Sequence, residues 1–471
     1  MLLGGPMRKP ERGTERNWLV GLVLAACVAA GCGGARANYV VLHDFCSQTN
    51  CADGGSPVAP LVRDANGNLF GTTVIGGAHG EGTIFELAAV AGHPEEFKYR
   101  VLYDFCTLAN CADGGPSRAP LVVDRAGDLY GVANGGGLNN GGDIFELVRH
   151  PKTHSWTQKV LYAFCALANC ADGREADSVA GLAYAGAASG QAYDGISPLF
   201  GTTDGGGAGT EQVGVVYELS RSAAHWRETV LHSFCSHYTQ ARGCIDGSQP
   251  MGSPVVAASG ALFGTTYTGG TTGSGEDIEA GGTVYSLTPD SHGTWTHRVL
   301  YDFCAVNTID PKTHRVFCQD GQFVGPTLAI DPSSNLFGFT YDGGAQCLPK
   351  PGICDGLVFG MGAGGGETTM YSFCPTRKCG GGGAPAGYGL AFDTASGALY
   401  GTDAGWGANG FGTVFSLAGG TFGALYSFCA TSGCSDGDAP NGVVTDGAGH
   451  LFGTTQNGGS AGRGVAFELV R

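Results

Sequence analysis

Positive charge is scarce in this sequence. Against 41 aspartates and glutamates stand 25 lysines and arginines, a formal charge of −16 at pH 7, and a surface of that sign argues against nucleic acid and anionic lipid as partners. Beyond residue 37 no apolar run approaches the roughly 18 residues of a membrane-spanning helix. The motifs of several common chemistries are missing too. There is no H-E-x-x-H pair and no G-x-x-x-x-G-K-[ST] phosphate cradle, and the G-x-S-x-G spacing at 433–437 and 458–462 falls in the cysteine and glycine loops rather than between a strand and a helix, so nothing marks a nucleophile, a catalytic zinc or a nucleotide site, and no cofactor is implied. The histidines are scattered. His43 and His232 take a place held elsewhere by Tyr103, Tyr162 and Tyr301, which suits half-buried strand residues better than catalysts.

Glycine and cysteine, by contrast, are abundant. With 85 glycines, 42% hydrophobic residues and 14% charged residues, the chain can bury a sizeable core but is poor in helix formers, and an all-β fold rich in turns is expected. A basic stretch (Arg8, Lys9, Arg12, Arg16), an apolar run from Trp18 to Ala30 and the small-residue site Ala35-Arg36-Ala37 predict a secretory signal over residues 1–37. Leu24-Ala25-Ala26-Cys27, and more weakly Ala30-Gly31-Cys32, offer lipoprotein cuts instead, so an N-terminal lipid anchor is the alternative to plain release. Removal of the signal takes away five basic and two acidic residues and leaves residues 38–471 at −19. Export to the periplasm, outer membrane or exterior is expected.

Sixteen of the eighteen cysteines then pair locally. Cys46 with Cys51, Cys106 with Cys111, Cys165 with Cys170, Cys374 with Cys379 and Cys429 with Cys434 are C-x4-C. Cys235 with Cys244 and Cys304 with Cys318 are stretched versions, and Cys347 with Cys354 lies in the insertion "QCLPKPGIC". Disulfides are expected, because an exported chain meets an oxidising compartment and these loops lack the C-x2-C knuckles or histidines of a zinc site.

The first cysteines recur at intervals of 60, 59, 70, 69, 70 and 55 residues, which makes seven units. Within one unit four β-type segments follow each other, as in "APLVVD", "DLYGVA", "DIFELV" and "QKVLYAFC", bounded by Gly, Asp and Asn. Seven units of four antiparallel strands predict a seven-bladed β-propeller. The segment "NYVVLHDFC" is an outer strand without its first three, and "GVAFELVR" is a third strand without its fourth. Pairing of residues 39–45 with 464–470 is therefore expected to complete the last blade and close the ring.

The unit F-x5-C-x-D-G, then D-x-x-G-x-L-[FY]-G-T-T-x-x-G-G, then G-T-[VI]-[FY]-x-L, resembles the exported choice-of-anchor tandem repeat called GloVer over residues 39–471. "DANGNLFGTTVIGGAHGEGTIFEL", residues 64–87, is its clearest copy. The resemblance specifies the repeat and implies little about activity. Members commonly carry a C-terminal sorting anchor; none precedes Arg471, so any anchor is expected at the N-terminus.

Asp64, Gly67 and Leu69, like Asp446, Gly449 and Leu451, belong to a hairpin between the first and second strands. Asp64-Ala-Asn66-Gly-Asn68 superficially resembles a calcium loop, but it lacks the downstream Glu and other copies replace its oxygens. The glycine of Gly71-Thr72-Thr73 and its repeats is expected to allow close packing of blade on blade. Phe97, Trp156, Trp226 and Trp295 open the outer strands, where packing between blades is expected and a sugar-stacking surface is the alternative.

The acidic turn after each cysteine loop supplies Asp53, Asp113, Asp172, Asp246, Asp320 and Asp436, with Gly381 where a seventh belongs. In one reading each Asp bonds backbone N–H groups two residues on and fixes the start of the inner strand. In the other, some of them bind a cation or sugar hydroxyls beside the channel. Identical sites favour the first, and the breaks in the repeat, such as residues 184–196, carry more information. A binding or scaffold module of the cell envelope or exterior, for a glycan or protein ligand, is the expected function. The alternative is a polysaccharide lyase or hydrolase using paired carboxylates on the loop face.

Overall fold

Alternating apolar residues in runs of two to twelve, separated by glycine turns, leave each repeat one solution, a four-stranded antiparallel meander. In the second repeat the strands are Val122–Val123, Leu129–Ala133, Asp143–His150 and Ser155–Ala163, paired in that order. The computed structural model describes residues 38–471 apart from 176–178, 210, 223–224, 237, 240–242, 272–280, 310–315, 345–355, 374–388 and 406. The expected signal with its two lipoprotein cuts lies outside the described residues, and so does Gly381.

Seven such meanders form a β-propeller. Blades 1 to 6 take residues 62–104, 122–163, 183–233, 255–302, 322–372 and 390–427. Blade 7 takes Asp438–Thr445, His450–Asn457 and Val465–Val470, and its outer strand is Asn38–Asp44. The register runs from Asn38 opposite Val470 to Asp44 opposite Val465, as the two incomplete end segments predict. On the axis, a cavity of about 380 Å³ is lined by the inner strands of the seven blades and the residues leading into them, among them Pro60, Pro120, Leu182, Pro254, Leu328, Leu390 and Val443.

The G-T-T element works differently from the sequence-based expectation. A Cβ on Gly71 would stand 2.6 Å from the Phe85 ring of the same blade, and one on Gly131 2.5 Å from the Phe145 ring. Each of these glycines lies directly opposite its aromatic across the ladder. The glycine thus makes room for a buried ring within its own blade, and it is the next residue that joins blades. Thr202, Thr265 and Thr454 donate their hydroxyls to Gly252, Gly325 and Ala59, on the inner segment of the following blade. Gly71→Ala is expected to cost about 1–3 kcal/mol in urea unfolding, because a rigid ring and Leu61 occupy the space.

The outer-strand aromatics do pack between blades. Phe97 meets Phe452, Trp226 meets Tyr130 and Trp295 meets Phe200, in each case on the second strand of the preceding blade. Trp156 joins a cluster that holds Phe70 of blade 1.

Candidate functional site

One face of the propeller carries the cysteine loops. Among the described residues six disulfides close there: Cys46–Cys51, Cys106–Cys111, Cys165–Cys170, Cys235–Cys244, Cys304–Cys318 and Cys429–Cys434. Two further bridges expected from the sequence, Cys347 to Cys354 and Cys374 to Cys379, fall on residues outside the described ones. Cys347, Cys354, Cys374 and Cys379 therefore stay an expectation of spacing alone. The glycine pair between second and third strands lies against the same loop, Gly77 and Gly137 donating their N–H groups to the carbonyls of Cys51 and Cys111.

The six aspartates after these loops are all buried. Their bonds run backwards, which corrects the expectation of N–H groups two residues on. Asp113 accepts from Thr107 N–H at 2.8 Å and Leu108 N–H at 2.9 Å, six and five residues upstream. Asp53, Asp172 and Asp436 repeat this with Ser47 and Gln48, Ala166 and Leu167, and Ala430 and Thr431. Asp246 and Asp320, on longer loops, accept from Ser236 N–H and Ala305 N–H. The tyrosine or histidine three places before the first cysteine completes the clip: Tyr162, Tyr301 and Tyr426 donate to Asp172, Asp320 and Asp436 at 2.7–2.9 Å. His43 and His232 stand 3.2 Å from Asp53 and Asp246. That accounts for the alternation of Tyr and His at this place.

Burial alone pushes the Asp113 carboxyl up, but the donors Thr107, Tyr103 and Leu108 overrule it and hold the group below its usual range. Asp113→Ala leaves these donors without an acceptor and is expected to cost about 1–3 kcal/mol. Asn keeps one backbone bond and turns an NH2 toward the other donors, so it falls between Ala and wild type. Because the folded pKa is depressed, the clip's contribution is present above the unfolded value and is lost as pH falls through the folded one. Chemical denaturation at pH 7 and pH 3 checks both points; equal stability of all three proteins at pH 7 contradicts the clip.

A second contact ties three of the clips to the neighbouring outer strand. Tyr99 and Tyr39 donate their hydroxyls, and Gln158 its amide, to the backbone carbonyls of Asp53, Asp436 and Asp113. Glu228 and His297 hold the same place in blades 3 and 4. Burial and the Asp172 charge raise Glu228 to about 8, and burial with the stacked His232 lowers His297 to about 3. Among the described residues no group of His, Cys, Asp and Glu is arranged to hold a metal ion.

The axial mouth on this face holds a pocket of about 450 Å³ lined by Val179, Asp204, Gln249, Met251, Tyr267, Val324, Pro326 and Tyr341. Asp204, Tyr267 and Tyr341 occupy one repeat position in blades 3, 4 and 5, directly after G-T-T or its variant Gly338-Phe339-Thr340. The second strand ends there and aims the side chain at the mouth. Tyr267 stacks on Phe323 at 5.2 Å and meets the edge of Tyr341 at 5.9 Å. Gln249 and Phe323 have φ of 58° and 56°, a strained setting for residues with side chains. The sequence did carry a signal for this site: the residue after G-T-T takes six identities over seven blades (Val74, Asn134, Asp204, Tyr267, Tyr341, Ala404, Gln456), in a unit that otherwise repeats.

Residues 33–197 match the Gloeobacter/Verrucomicrobia repeat. Those residues carry that repeat. The match takes in blades 1 and 2 and the start of blade 3, and the strand order of those blades continues through the others. No curated protein matches. Among solved structures, similarity extends to a luciferin-regenerating enzyme (12% identity, TM-score 0.39, 92% of this chain and 96% of that one). A gluconolactonase from Xanthomonas campestris (13%, 0.38, 93% and 91%) and the polysaccharide lyase Uly1 (11%, 0.43, 91% and 92%) are similar to the same degree. Likenesses of this size carry no chemistry over to the repeat described above.

Proposed function

We propose that this chain is an exported recognition module that holds a glycan at the mouth of its propeller, with the clip aspartates serving the scaffold. The observation that carries this reading is the mouth pocket, where Tyr267 and Tyr341 meet beside Asp204 and Gln249. Aromatic faces suit the C–H face of a sugar ring, and a carboxylate and an amide suit its hydroxyls. The strained backbone at Gln249 and Phe323 supports a site whose side chains are held in place before the ligand arrives. Export is supported by the disulfides and by the pattern of residues 1–37.

A glycan array followed by titration calorimetry tests this. Tyr267→Ala and Tyr341→Ala are each expected to weaken binding about tenfold or more, as for hot-spot aromatics, with little change in melting temperature. Binding unaffected by both substitutions contradicts the assignment. Release of product from any polysaccharide, lost in Asp204→Asn, replaces it with an enzyme.

A further inference from the structure

The opposite face carries the hairpins between first and second strands, and there the sevenfold pattern is broken by residues 184–196 of blade 3. This insertion makes one short turn, Ala187–Ser189, and returns to blade 2, where Arg125 N–H bonds the Tyr193 carbonyl at 3.0 Å. It thereby walls a cleft of about 640 Å³ over the hairpins of blades 1 and 2.

In a chain so poor in positive charge, this cleft is lined by three arginines, Arg63, Arg125 and Arg149. Arg63 comes from a first strand and Arg149 from a third, yet their guanidinium groups reach the same place on adjacent blades. A Cβ on the hairpin glycine would lie 3.3 Å from Arg63 at Gly67 and 3.3 Å from Arg149 at Gly127. Arginines at the place of Arg149 in blades 3 and 7 lie over aromatic rings, Arg221 over Trp226 and Arg471 over Tyr400. Arg63 and Arg149 make no ion pair and cover no ring among the described residues. The cleft's own carboxylates are bonded within their hairpins, Asp64 accepting from Asn66 and Asn68 N–H and Asp124 from Ala126 and Asp128 N–H. Asp194, the carboxylate beside Arg125, is engaged by Ser197 and Ile196.

We propose that this cleft is a second ligand site, specific for a carboxylate-bearing saccharide such as a uronate, with Arg63 and Arg149 as its anchors. A guanidinium binds a planar carboxylate through paired N–H donors, and two of them on adjacent blades select an acidic unit over a neutral one. Gln191 at the rim supplies an amide for hydroxyls, and Leu61 and Val122 supply an apolar floor. The site lies on the other face from the mouth pocket and does not rest on the reading given for that pocket.

Calorimetry of the full chain with a galacturonate oligosaccharide, a neutral galactose oligosaccharide of the same length and inorganic phosphate tests the proposal. Saturable binding of the galacturonate alone is expected, weakened about tenfold in the double variant Arg63→Ala/Arg149→Ala, unchanged in Tyr267→Ala/Tyr341→Ala, and lower in salt. Arg221→Ala controls for general loss of positive charge and is expected to bind as wild type. Equal binding of phosphate or of the neutral oligosaccharide overturns the carboxylate specificity. No binding, or galacturonate binding that survives the arginine double variant with its melting temperature intact, overturns the site.

Discussion

A chain that lacks residues 38–44 is expected to lose the closed fold rather than a tail. These residues supply the whole outer strand of blade 7, paired along Val465–Val470. Tyr39 stacks on Tyr426 of blade 6 at 4.2 Å and donates its hydroxyl to the carbonyl of Asp436. Without the strand, the third strand of blade 7 becomes an open edge, and the contact between the first and last parts of the chain is gone. Each buried aromatic or aliphatic side chain is worth about 1.5–3 kcal/mol, so the deletion removes several such contributions and the ladder as well. A melting temperature lower by about 10 °C or more follows, with a shallower, less cooperative transition. Calorimetry of the two proteins checks this, and an unchanged transition contradicts closure by the N-terminal strand.

Asp143→Val is expected to stabilise the protein at neutral pH. Asp143 opens the third strand of blade 2, is fully buried, and its carboxylate oxygens have no hydrogen-bond partner among the described residues. Burial, with the nearby Asp113 charge, raises it to about 8. In blades 1, 4 and 7 the ladder pair at this level puts the carboxylate on the outer strand: Thr83 faces Asp104, Thr283 faces Asp302 and Val465 faces Asp44. Those aspartates accept bonds from the glycine loop, from Ala78, Thr271 and Ser460. In blade 2 the pair is Asp143 and Ala163, so the carboxylate has crossed the ladder into the core. A raised folded pKa means that the unfolded chain releases its proton first. Stability therefore falls as pH rises from about 4 to about 8 and is flat above. Valine, the residue of blades 3 and 7 at this place (Val215, Val465), removes that slope. A gain of roughly 2–4 kcal/mol near pH 7–8 is expected from a shift of this size. Urea unfolding from pH 5 to pH 9 measures it; a destabilised variant means that the carboxylate has an essential partner.

The blades, their closure and the cysteine loops could be read from the sequence because each is written many times at a near-constant interval, and strand alternation is a local signal. The tasks of individual repeated residues could not. Gly71 repeats whether it separates blades or receives Phe85, and only the cross-strand register distinguishes the two. The aspartate bonds point backwards because the disulfide folds the loop onto itself, bringing Thr107 and Leu108 under Asp113, a closure that spacing does not reveal. The mouth pocket is not legible for the opposite reason: its residues do not recur around the ring, and Asp204, Tyr267 and Tyr341 from three blades meet only after the ring has formed. The arginine cleft is similar, since Arg63 and Arg149 occupy different strands of the unit and share a place only in three dimensions.

Amide hydrogen exchange with and without the saturating glycan found on the array locates the ligand most directly. Slowed exchange is predicted in the segments that build the mouth of blades 3 to 5, around residues 203–205, 248–251, 266–268, 322–326 and 340–342, with the outer strands unchanged. Protection confined to the outer strands or the rim, with these segments unaffected, contradicts a recognition site at the propeller mouth.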